Sequence, residues 1–330
     1  MGMEVTPVRI VRVELGARSY LVRIGAGVLS EIGGQLRGLF PQSRSLGAAV
    51  ITDENVGPAY AQRVIDSMRR AGYHVHLVTV PPGDATKSLA HAARLYDELA
   101  EARIERGSPL VALGGGMVGD LTGFVAATWL RGVPFIQCPT TVEADVDASV
   151  GGKTGVNHPS GKNLIGAFYQ PRLVLMDVAT LDTLTDRDFR AGLSESIKHG
   201  AIRDASFLDW HEKNAARILS RDRDIMGELL ERNVRIKAEV VTADERESGL
   251  RAILNFGHTI GHAVESLLHY EWRHGESVSV GMVAAARIAA HRGVASTETA
   301  ERLRGLLQTL RLPVEIPSDL PAADILRLTR

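Results

Sequence analysis

The sequence predicts two domains: an α/β domain with a parallel sheet over residues 1–184, and an all-helical domain over residues 185–330. In the first half, short apolar runs that end in turn residues alternate with amphipathic helical patterns. This alternation is typical of parallel strands that are covered by helices on both faces. After about Leu184 the strand patterns stop, and apolar residues recur with the 3.6-residue period of helices. The change of period therefore sets the expected domain boundary.

The first predicted element is a β-hairpin. Residues 8–15 and 20–24 alternate apolar and polar side chains on either side of the turn residues 16–19. Short apolar strands are then predicted at 48–52, 75–80, 110–113, 135–138 and 173–176. The helices that we expect between the early strands and in the second half include 56–70, 88–103, 225–243 and 275–291.

The composition excludes several classes of protein. Hydrophobic residues make up 45% of the 330 residues and charged residues 23%, so the chain has enough apolar side chains for a large core. The formal net charge of −1 removes the electrostatic case for a nucleic-acid partner. No apolar run approaches the roughly 20 residues of a membrane span. Cys138 is the only cysteine, which predicts a reducing, cytoplasmic location.

Lysine is rare against an arginine-rich background. Of the 38 basic residues only six are Lys. The lysines are Lys87, Lys153, Lys162, Lys198, Lys213 and Lys237. A lysine that is kept against such a bias can mark a position that needs a compact ammonium instead of a planar guanidinium. The alternative is that these six share no role.

A glycine-rich turn follows the predicted strand at 110–113. Gly114, Gly116 and Gly119 satisfy the pattern G-x-G-x-x-G between a strand and a helix, where backbone N–H groups can approach a pyrophosphate. A plain tight turn is the alternative. Asp53 ends an earlier strand and can either accept ribose hydroxyls or cap the next helix.

A polar segment rich in glycine occupies the centre of the chain, from Pro139 to Gly166. Lys153 and Lys162 lie among its glycines, and ammonium groups in such a setting suit phosphate and polyol hydroxyls. The segment is too rich in glycine for us to expect a buried element there. It is not a P-loop, because Asp147 stands where the first glycine of that motif is required.

Histidines are concentrated near residue 260. His258 and His262 lie four residues apart, on one face if the segment is helical, and His274 precedes the last strongly periodic helix. A glutamate directly after His258 is lacking, so a zincin is not predicted. Two interpretations of these histidines remain open, metal ligation and ordinary hydrogen bonding, because spacing does not show that His258 and His274 meet.

Long motifs carry a resemblance to a known family. They are GGGMVGDLTGFVAATWLRGVPFIQCPTT, DASVGGKTGVNHPSGKNLIGAFYQP, RAGLSESIKHG, KAEVVTADERESGLRAILNFGHTIGHAVE and HGESVSVGM. In order and spacing, from about Asp53 to Met282, the chain resembles the dehydroquinate synthase family of the sugar-phosphate cyclase superfamily. The resemblance implies a Rossmann-like NAD domain followed by a helical metal-binding domain. It also implies a homodimer and a sugar-acid phosphate substrate.

The resemblance also implies site residues. A catalytic Zn²⁺ or Co²⁺ falls on three ligands: Glu195, His258 and His274. The implied contacts to NAD⁺ are Asp53, Asp84, Lys87, Gly115, Gly116, Gly119, Asp120, Thr140, Thr141, Lys153, Lys162, Thr180 and Thr183. The implied contacts to the substrate are Arg131, Asp147, Lys153, Asn163, Lys198, Lys237, Arg251, Asn255 and His262. All lysines except Lys213 fall on these two sets, as the arginine bias predicts.

The reaction that the resemblance implies is a cyclisation with transient oxidation. NAD⁺ takes a hydride from a ring alcohol, phosphate is eliminated, the hydride returns, and an intramolecular aldol step closes the carbocycle. We assign proton movement near the ring hydroxyl to His262. A sister sugar-phosphate cyclase, a metal-dependent polyol dehydrogenase and a catalytically inactive binding protein are the alternatives.

The chain departs from the family pattern in several places. Glu143 and Asp145 stand where apolar and amide residues are usual, and we expect both to point away from phosphate. Asp84 replaces a glutamate, and Ser196 and His199 replace apolar and aromatic residues beside Glu195. A Lys-bearing segment beyond position 330 is also expected from the family, and its lack predicts slow turnover with a raised KM.

Overall fold

The computed structural model describes residues 7–41 and 46–329. The chain folds into two compact units, Met1–Asp182 and Thr183–Arg330. This division lies two residues before the boundary expected from the change of period. Thr183, which the resemblance groups with the cofactor contacts of the first domain, therefore begins the second unit.

The first unit is built on a sheet with helices on both sides. The strands are β1 (Arg9–Val13), β2 (Tyr20–Gly25), β3 (Gly47–Asp53), β4 (His74–Val80), β5 (Leu110–Gly114), β6 (Phe135–Pro139) and β9 (Leu173–Asp177), and they run in the order β1-β2-β9-β6-β5-β3-β4. The antiparallel pair β1–β2 is the predicted hairpin, and the other neighbours are parallel. The helices are α1 (Ile32–Leu39), α2 (Gly57–Arg70), α3 (Leu89–Glu101) and α4 (Gly116–Thr128).

Both faces of this sheet are covered, as the apolar runs predict. Along β5, Val111 and Leu113 join one core cluster, with residues of α1 and α2. Leu110 and Ala112 point the other way and join a second cluster, with residues of α3 and α4. Because successive side chains of a strand face opposite sides, a central parallel strand must be apolar throughout to be buried in this way.

The central polar segment forms a hairpin that the sequence analysis missed. Strands β7 (Lys153–His158) and β8 (Gly161–Phe168) pair antiparallel, with Gly155 opposite Gly166. Thr154 and Val156 on β7 are buried, and Val156 joins the core cluster of α3 and α4. The expectation that this segment holds no buried element was therefore wrong, because the paired glycines allow a close approach of the two strands.

The second unit is helical. Its helices are α5 (Asp186–Arg203), α6 (Ala205–Leu219), α7 (Arg223–Ala243), α8 (His258–Leu267), α9 (His274–His291), α10 (Thr297–Thr309) and α11 (Ala322–Leu328). The side chains of Thr185, Asp204, Asp222 and Ser296 accept backbone N–H groups at the starts of four of them. Along the described residues, no helix combines the length and apolarity that crossing a bilayer requires.

Candidate metal centre and cofactor site

Three helices of the second unit bring together the predicted metal ligands. Glu195 on α5 is fully buried. Its Oε1 atom lies 3.6 Å from Nε2 of His258, at the start of α8, and 3.8 Å from Nε2 of His274, at the start of α9. Spacing alone did not show that these residues meet, and the structure places their ligand atoms around one point.

His262 belongs to the same group. Its ring lies 5.2 Å from that of His258 and 5.6 Å from that of His274, between centroids. One ligand atom from each of these three histidines lies within 4.8 Å of the others, so they form a cluster that could hold a metal ion. The geometry therefore offers four donors, of which the resemblance assigns His262 to proton movement.

Two neighbouring acceptors orient the histidine rings. Nδ1 of His274 lies 3.5 Å from Oε2 of Glu265, and Nδ1 of His258 lies 3.3 Å from the carbonyl oxygen of Phe256. An Nδ1–H that faces an acceptor leaves Nε2 as the lone-pair atom, and both Nε2 atoms face Glu195. This donor set fits Zn²⁺ or Co²⁺. Sequence reasoning missed Glu265, although it lies seven residues after His258 and therefore on the same helix face.

Glycines allow the three helices to meet closely. A Cβ atom at Gly275 would overlap the carbonyl oxygen of Ala191 on α5, and one at Gly281 would overlap the carbonyl oxygen of Gly257 beside α8. The backbones of α5, α8 and α9 are thus in direct contact next to the ligands. Small residues at helix crossings are the simplest way to bring short side chains from different helices to one ion.

The predicted substrate residues of this unit are partly assembled. Lys198 is buried and its Nζ contacts Oε2 of Glu195, so it joins the metal group. Lys237 on α7 and Arg251 in the turn after it are also buried. The Arg251 Nη1 atom donates to the carbonyl oxygen of Glu245 at 2.6 Å, and the exposed Asn255 donates to Glu247 at 3.2 Å.

The Asp244 carboxylate organises the turn that carries Arg251. It accepts the backbone N–H groups of Ser248, Gly249 and Arg251 at 2.8–3.0 Å. These hydrogen bonds, first that from Arg251 and then those from Ser248 and Gly249, hold the pKa of Asp244 well below its usual range. The carboxylate is therefore ionised near neutral pH, and the turn before Arg251 is fixed.

In the first unit, β5 leads through Gly115 directly into α4. Gly115 is extended and precedes the first turn of α4, and this N-cap residue has no side chain to accept the N-terminal N–H groups of the helix. Thr140, after the neighbouring strand β6, is buried, and its Oγ1 has no hydrogen-bond partner within the described residues. Open helix N–H groups beside an unsatisfied hydroxyl fit a bound pyrophosphate.

Lys87 is the centre of a cluster of predicted cofactor and substrate residues. Its Nζ donates to Oδ2 of Asp120 and to Oδ1 of Asn163, both at 2.5 Å. Asn157 joins Asp84 to this cluster, because it donates to Oδ2 of Asp84 and accepts the backbone N–H of Asn163, both at 3.0 Å. The Oδ2 atom of Asp84 also lies 3.4 Å from Nζ of Lys162. The β7–β8 hairpin, the turn before α3 and the first turns of α4 thus bring five predicted residues together.

Among the remaining predicted residues, three side chains bond to residues close to them in the chain. Asp53 accepts N–H from Asn55 and Val56 at 2.8 and 3.0 Å, so it holds the turn that leads to α2 and does not cap that helix, whose N-cap residue is Val56. Thr141 caps Ala144 through Oγ1 at 3.1 Å, and Thr180 donates to the carbonyl oxygen of Asp177 at 2.8 Å. Three others in this unit are solvent-accessible to different degrees, Arg131, Asp147 and Lys153, and Thr183, the first residue of the second unit, is exposed.

Solved structures with the same architecture define the class. A 2-deoxy-scyllo-inosose synthase complexed with carbaglucose-6-phosphate, NAD⁺ and Co²⁺ superimposes with a TM-score of 0.88 at 26% identity, over 97% of this chain and 86% of that one. A 2-epi-5-epi-valiolone synthase from Streptomyces hygroscopicus, with NAD⁺ and Zn²⁺ bound, gives 0.85 at 27% identity over 96% and 86%. By its fold the chain is therefore similar to the class of synthases to which these two structures belong.

Sequence comparison then distinguishes among such synthases. The family model for the 3-dehydroquinate synthase N-terminal domain matches residues 77–191, and that for the C-terminal domain matches residues 192–330. A 3-dehydroquinate synthase from Desulforamulus reducens is 50% identical over 96% of this chain and 88% of its own length. The chain belongs to the 3-dehydroquinate synthase family. The 50% sequence identity to this 3-dehydroquinate synthase exceeds the identity to either structural neighbour, and the family resemblance noted in the sequence is confirmed.

Proposed function

We propose that the chain converts 3-deoxy-D-arabino-heptulosonate 7-phosphate into 3-dehydroquinate and inorganic phosphate, a lyase-type cyclisation of the shikimate pathway to aromatic amino acids. The observation that carries the proposal is the 50% identity over nearly the whole chain to a 3-dehydroquinate synthase. The convergence of Glu195, His258 and His274 supports it, because the reaction needs a metal centre.

The chain's cofactors are NAD⁺ and Zn²⁺ or Co²⁺. The first unit would hold the nucleotide at the start of α4 and at the Lys87 cluster, and the second would hold the ion at Glu195, His258 and His274. When bound, NAD⁺ accepts and returns a hydride while the ion acidifies the alcohol that is oxidised.

The chain's own residues bind the substrate and move its protons. The ammonium of Lys198, next to Glu195, is placed to stabilise negative charge that develops on an oxygen near the ion. The imidazole of His262 is within reach of the same point and exchanges a proton with the ring hydroxyl. Arg251 supplies a cation for the phosphate, and charge-assisted hydrogen bonds to such a group are the strong ones.

The test is a product assay with the purified chain. With 3-deoxy-D-arabino-heptulosonate 7-phosphate, NAD⁺ and Zn²⁺, inorganic phosphate should be released without net NADH, and mass spectrometry should show the carbocycle. Glu195→Gln should be inactive, while Lys213→Arg, which changes the one lysine outside the predicted site, should behave as the parent protein. Net NADH would indicate a polyol dehydrogenase. Phosphate release from glucose 6-phosphate instead would indicate a sister cyclase.

We further propose a homodimer in the cytoplasm, on the strength of the family resemblance and of the single, buried Cys138. Sedimentation at micromolar concentration should give about twice the mass of the 35.6 kDa chain. A monomer at that concentration would contradict the dimer.

A further inference from the structure

A chain of hydrogen bonds between buried polar side chains crosses the second unit beside the metal group. His211 on α6, Ser196 and His199 on α5, and Asn233 on α7 are all fully buried. Ser196 Oγ lies 2.7 Å from Nε2 of His211, Asn233 Nδ2 lies 2.8 Å from Ser196 Oγ, and His199 Nδ1 lies 2.9 Å from Asn233 Oδ1. We call these four residues the buried relay.

The surrounding carbonyl groups fix the direction of every bond in the buried relay. His211 Nδ1 lies 2.6 Å from the carbonyl oxygen of Phe207, so Nδ1 donates and Nε2 accepts from the Ser196 hydroxyl. Asn233 Nδ2 also donates to the carbonyl oxygen of Leu229 at 2.7 Å, which assigns its amide nitrogen. The amide oxygen therefore accepts from Nδ1 of His199. Burial lowers the pKa of His211 to about 4, so this imidazole stays neutral near pH 7.

The buried relay attaches to α5 directly after each of the two residues that the reaction needs. Ser196 directly follows Glu195, and His199 directly follows Lys198. One side chain of α7, Asn233, binds both of them, and Lys237 lies one turn further along the same helix. Apolar packing alone is non-directional and would let α5 roll about its axis, whereas directional hydrogen bonds fix its rotation.

We propose that Ser196, His199, His211 and Asn233 are positioning residues, which hold α5 so that the Glu195 carboxylate and the Lys198 ammonium keep their places at the metal centre. The inference rests on the metal site of the proposed function. The proposal assigns a role to Ser196 and His199, the two residues near Glu195 that depart from the family pattern. A buried network of directional hydrogen bonds favours one arrangement of its helices. A ligand carboxylate needs such a fixed arrangement, because it must stay within about 0.5 Å of its productive position.

The decisive variant is Ser196→Ala, which removes one oxygen atom and breaks the link between α6 and α7. The metal-stripped protein is titrated with Co²⁺, and the visible absorption spectrum and the Kd are recorded. We expect the Co²⁺ absorption bands to change and the Kd for Co²⁺ to rise about tenfold. Tenfold is the lower end of the loss of metal affinity that follows when a residue supporting a metal ligand is changed. The kcat should fall about tenfold, while the KM for NAD⁺ changes less than twofold, because the predicted cofactor residues lie almost wholly in the first unit.

His211→Phe is the second variant. It keeps an aromatic ring against Phe207 and changes no residue of α5 or α7. It removes the acceptor for Ser196, together with the bond from Nδ1 to the carbonyl oxygen of Phe207 within α6, so it provides the test if Ser196→Ala does not fold. Its Co²⁺ spectrum and Kd should change in the same direction. Ser206→Ala is the matched control, since it deletes an exposed hydroxyl on α6 whose partner is Asp204, and it should leave both unchanged.

Two results separate positioning from a purely structural role. If both relay variants bind Co²⁺ with the parent spectrum and a Kd within twofold, the proposal is overturned, even where the melting temperature falls. If the parent protein binds Co²⁺ but releases no phosphate from the heptulosonate, the proposed function fails, and the Co²⁺ comparison still tests the buried relay.

Discussion

Asp145→Asn is expected to stabilise the first unit in a pH-dependent way. Asp145 lies in a π-helical turn, Ala144–Ala148, and is 1% exposed. Within the described residues neither of its carboxylate oxygens has a hydrogen-bond partner. Burial, and then the negative charge of Asp177, raise the pKa of Asp145 well above its usual range. The Asp177 carboxylate itself accepts N–H from Gly27 at 2.8 Å and from Leu29 at 3.3 Å.

The sign and slope of the effect follow from this raised pKa. Below the unfolded-state pKa of about 4, Asp145 is protonated in both states and costs nothing. As the pH rises above that value, the unfolded chain loses the proton while the folded protein keeps it. The free energy of unfolding of the parent protein therefore falls by about 1.4 kcal/mol per pH unit until the folded pKa is reached. Asn carries no such proton, so the advantage of the variant grows over this range.

The assay is thermal unfolding of both proteins between pH 4 and pH 8. For a unit of this size the difference in Tm should be small at pH 4 and widen by about 3–5 °C per pH unit. Glu143→Gln, which makes the same chemical change two residues away at a partly exposed position, should show no comparable widening. A constant difference between parent and Asp145→Asn at every pH would refute a buried, proton-retaining Asp145.

Three further predictions concern the proposed site. Chelation should abolish turnover, and added Zn²⁺ or Co²⁺ should restore it; full activity of the metal-free protein would contradict the ligand set. Lys198→Arg should lower kcat on the order of 10²-fold, because a planar guanidinium does not fit the position of an ammonium against Glu195. Lys213→Arg should leave kcat nearly unchanged. Equal effects of the two substitutions would show that the rarity of lysine carries no information about the site. Lys87→Ala should weaken NAD⁺ binding, measured by calorimetry, about 10–100-fold through the loss of a charge-assisted hydrogen bond, and an unchanged Kd would remove Lys87 from the cofactor site.

The fold could be predicted where one periodicity dominated. Buried strands such as β5 are apolar throughout, and α7 repeats its apolar residues every three to four positions, so both follow from the sequence. The β7–β8 hairpin could not be predicted in this way. Its glycines have no side chains to alternate, and β7 packs against α4, which is remote from it in sequence.

The candidate site was predicted by residue type but not by geometry. The spacing of His258 and His262 is visible in the sequence, yet the meeting of Glu195 with His258 and His274 requires helices that are separated by many residues. The buried relay was invisible for the same reason. A serine or an asparagine on a helix carries no signal of its partner until two other helices are packed against it.

The glycine contacts between α5, α8 and α9 have a consequence for how this protein tolerates change. Gly275 and Gly281 carry no functional group, yet any side chain there would push a helix that bears a metal ligand. Random substitution should therefore find some of its most damaging positions at residues that touch neither metal nor substrate. Losses at such positions would resemble the loss of a catalytic group in an activity screen. They would differ from it in the temperature at which the protein unfolds, because a displaced helix also loses its packing.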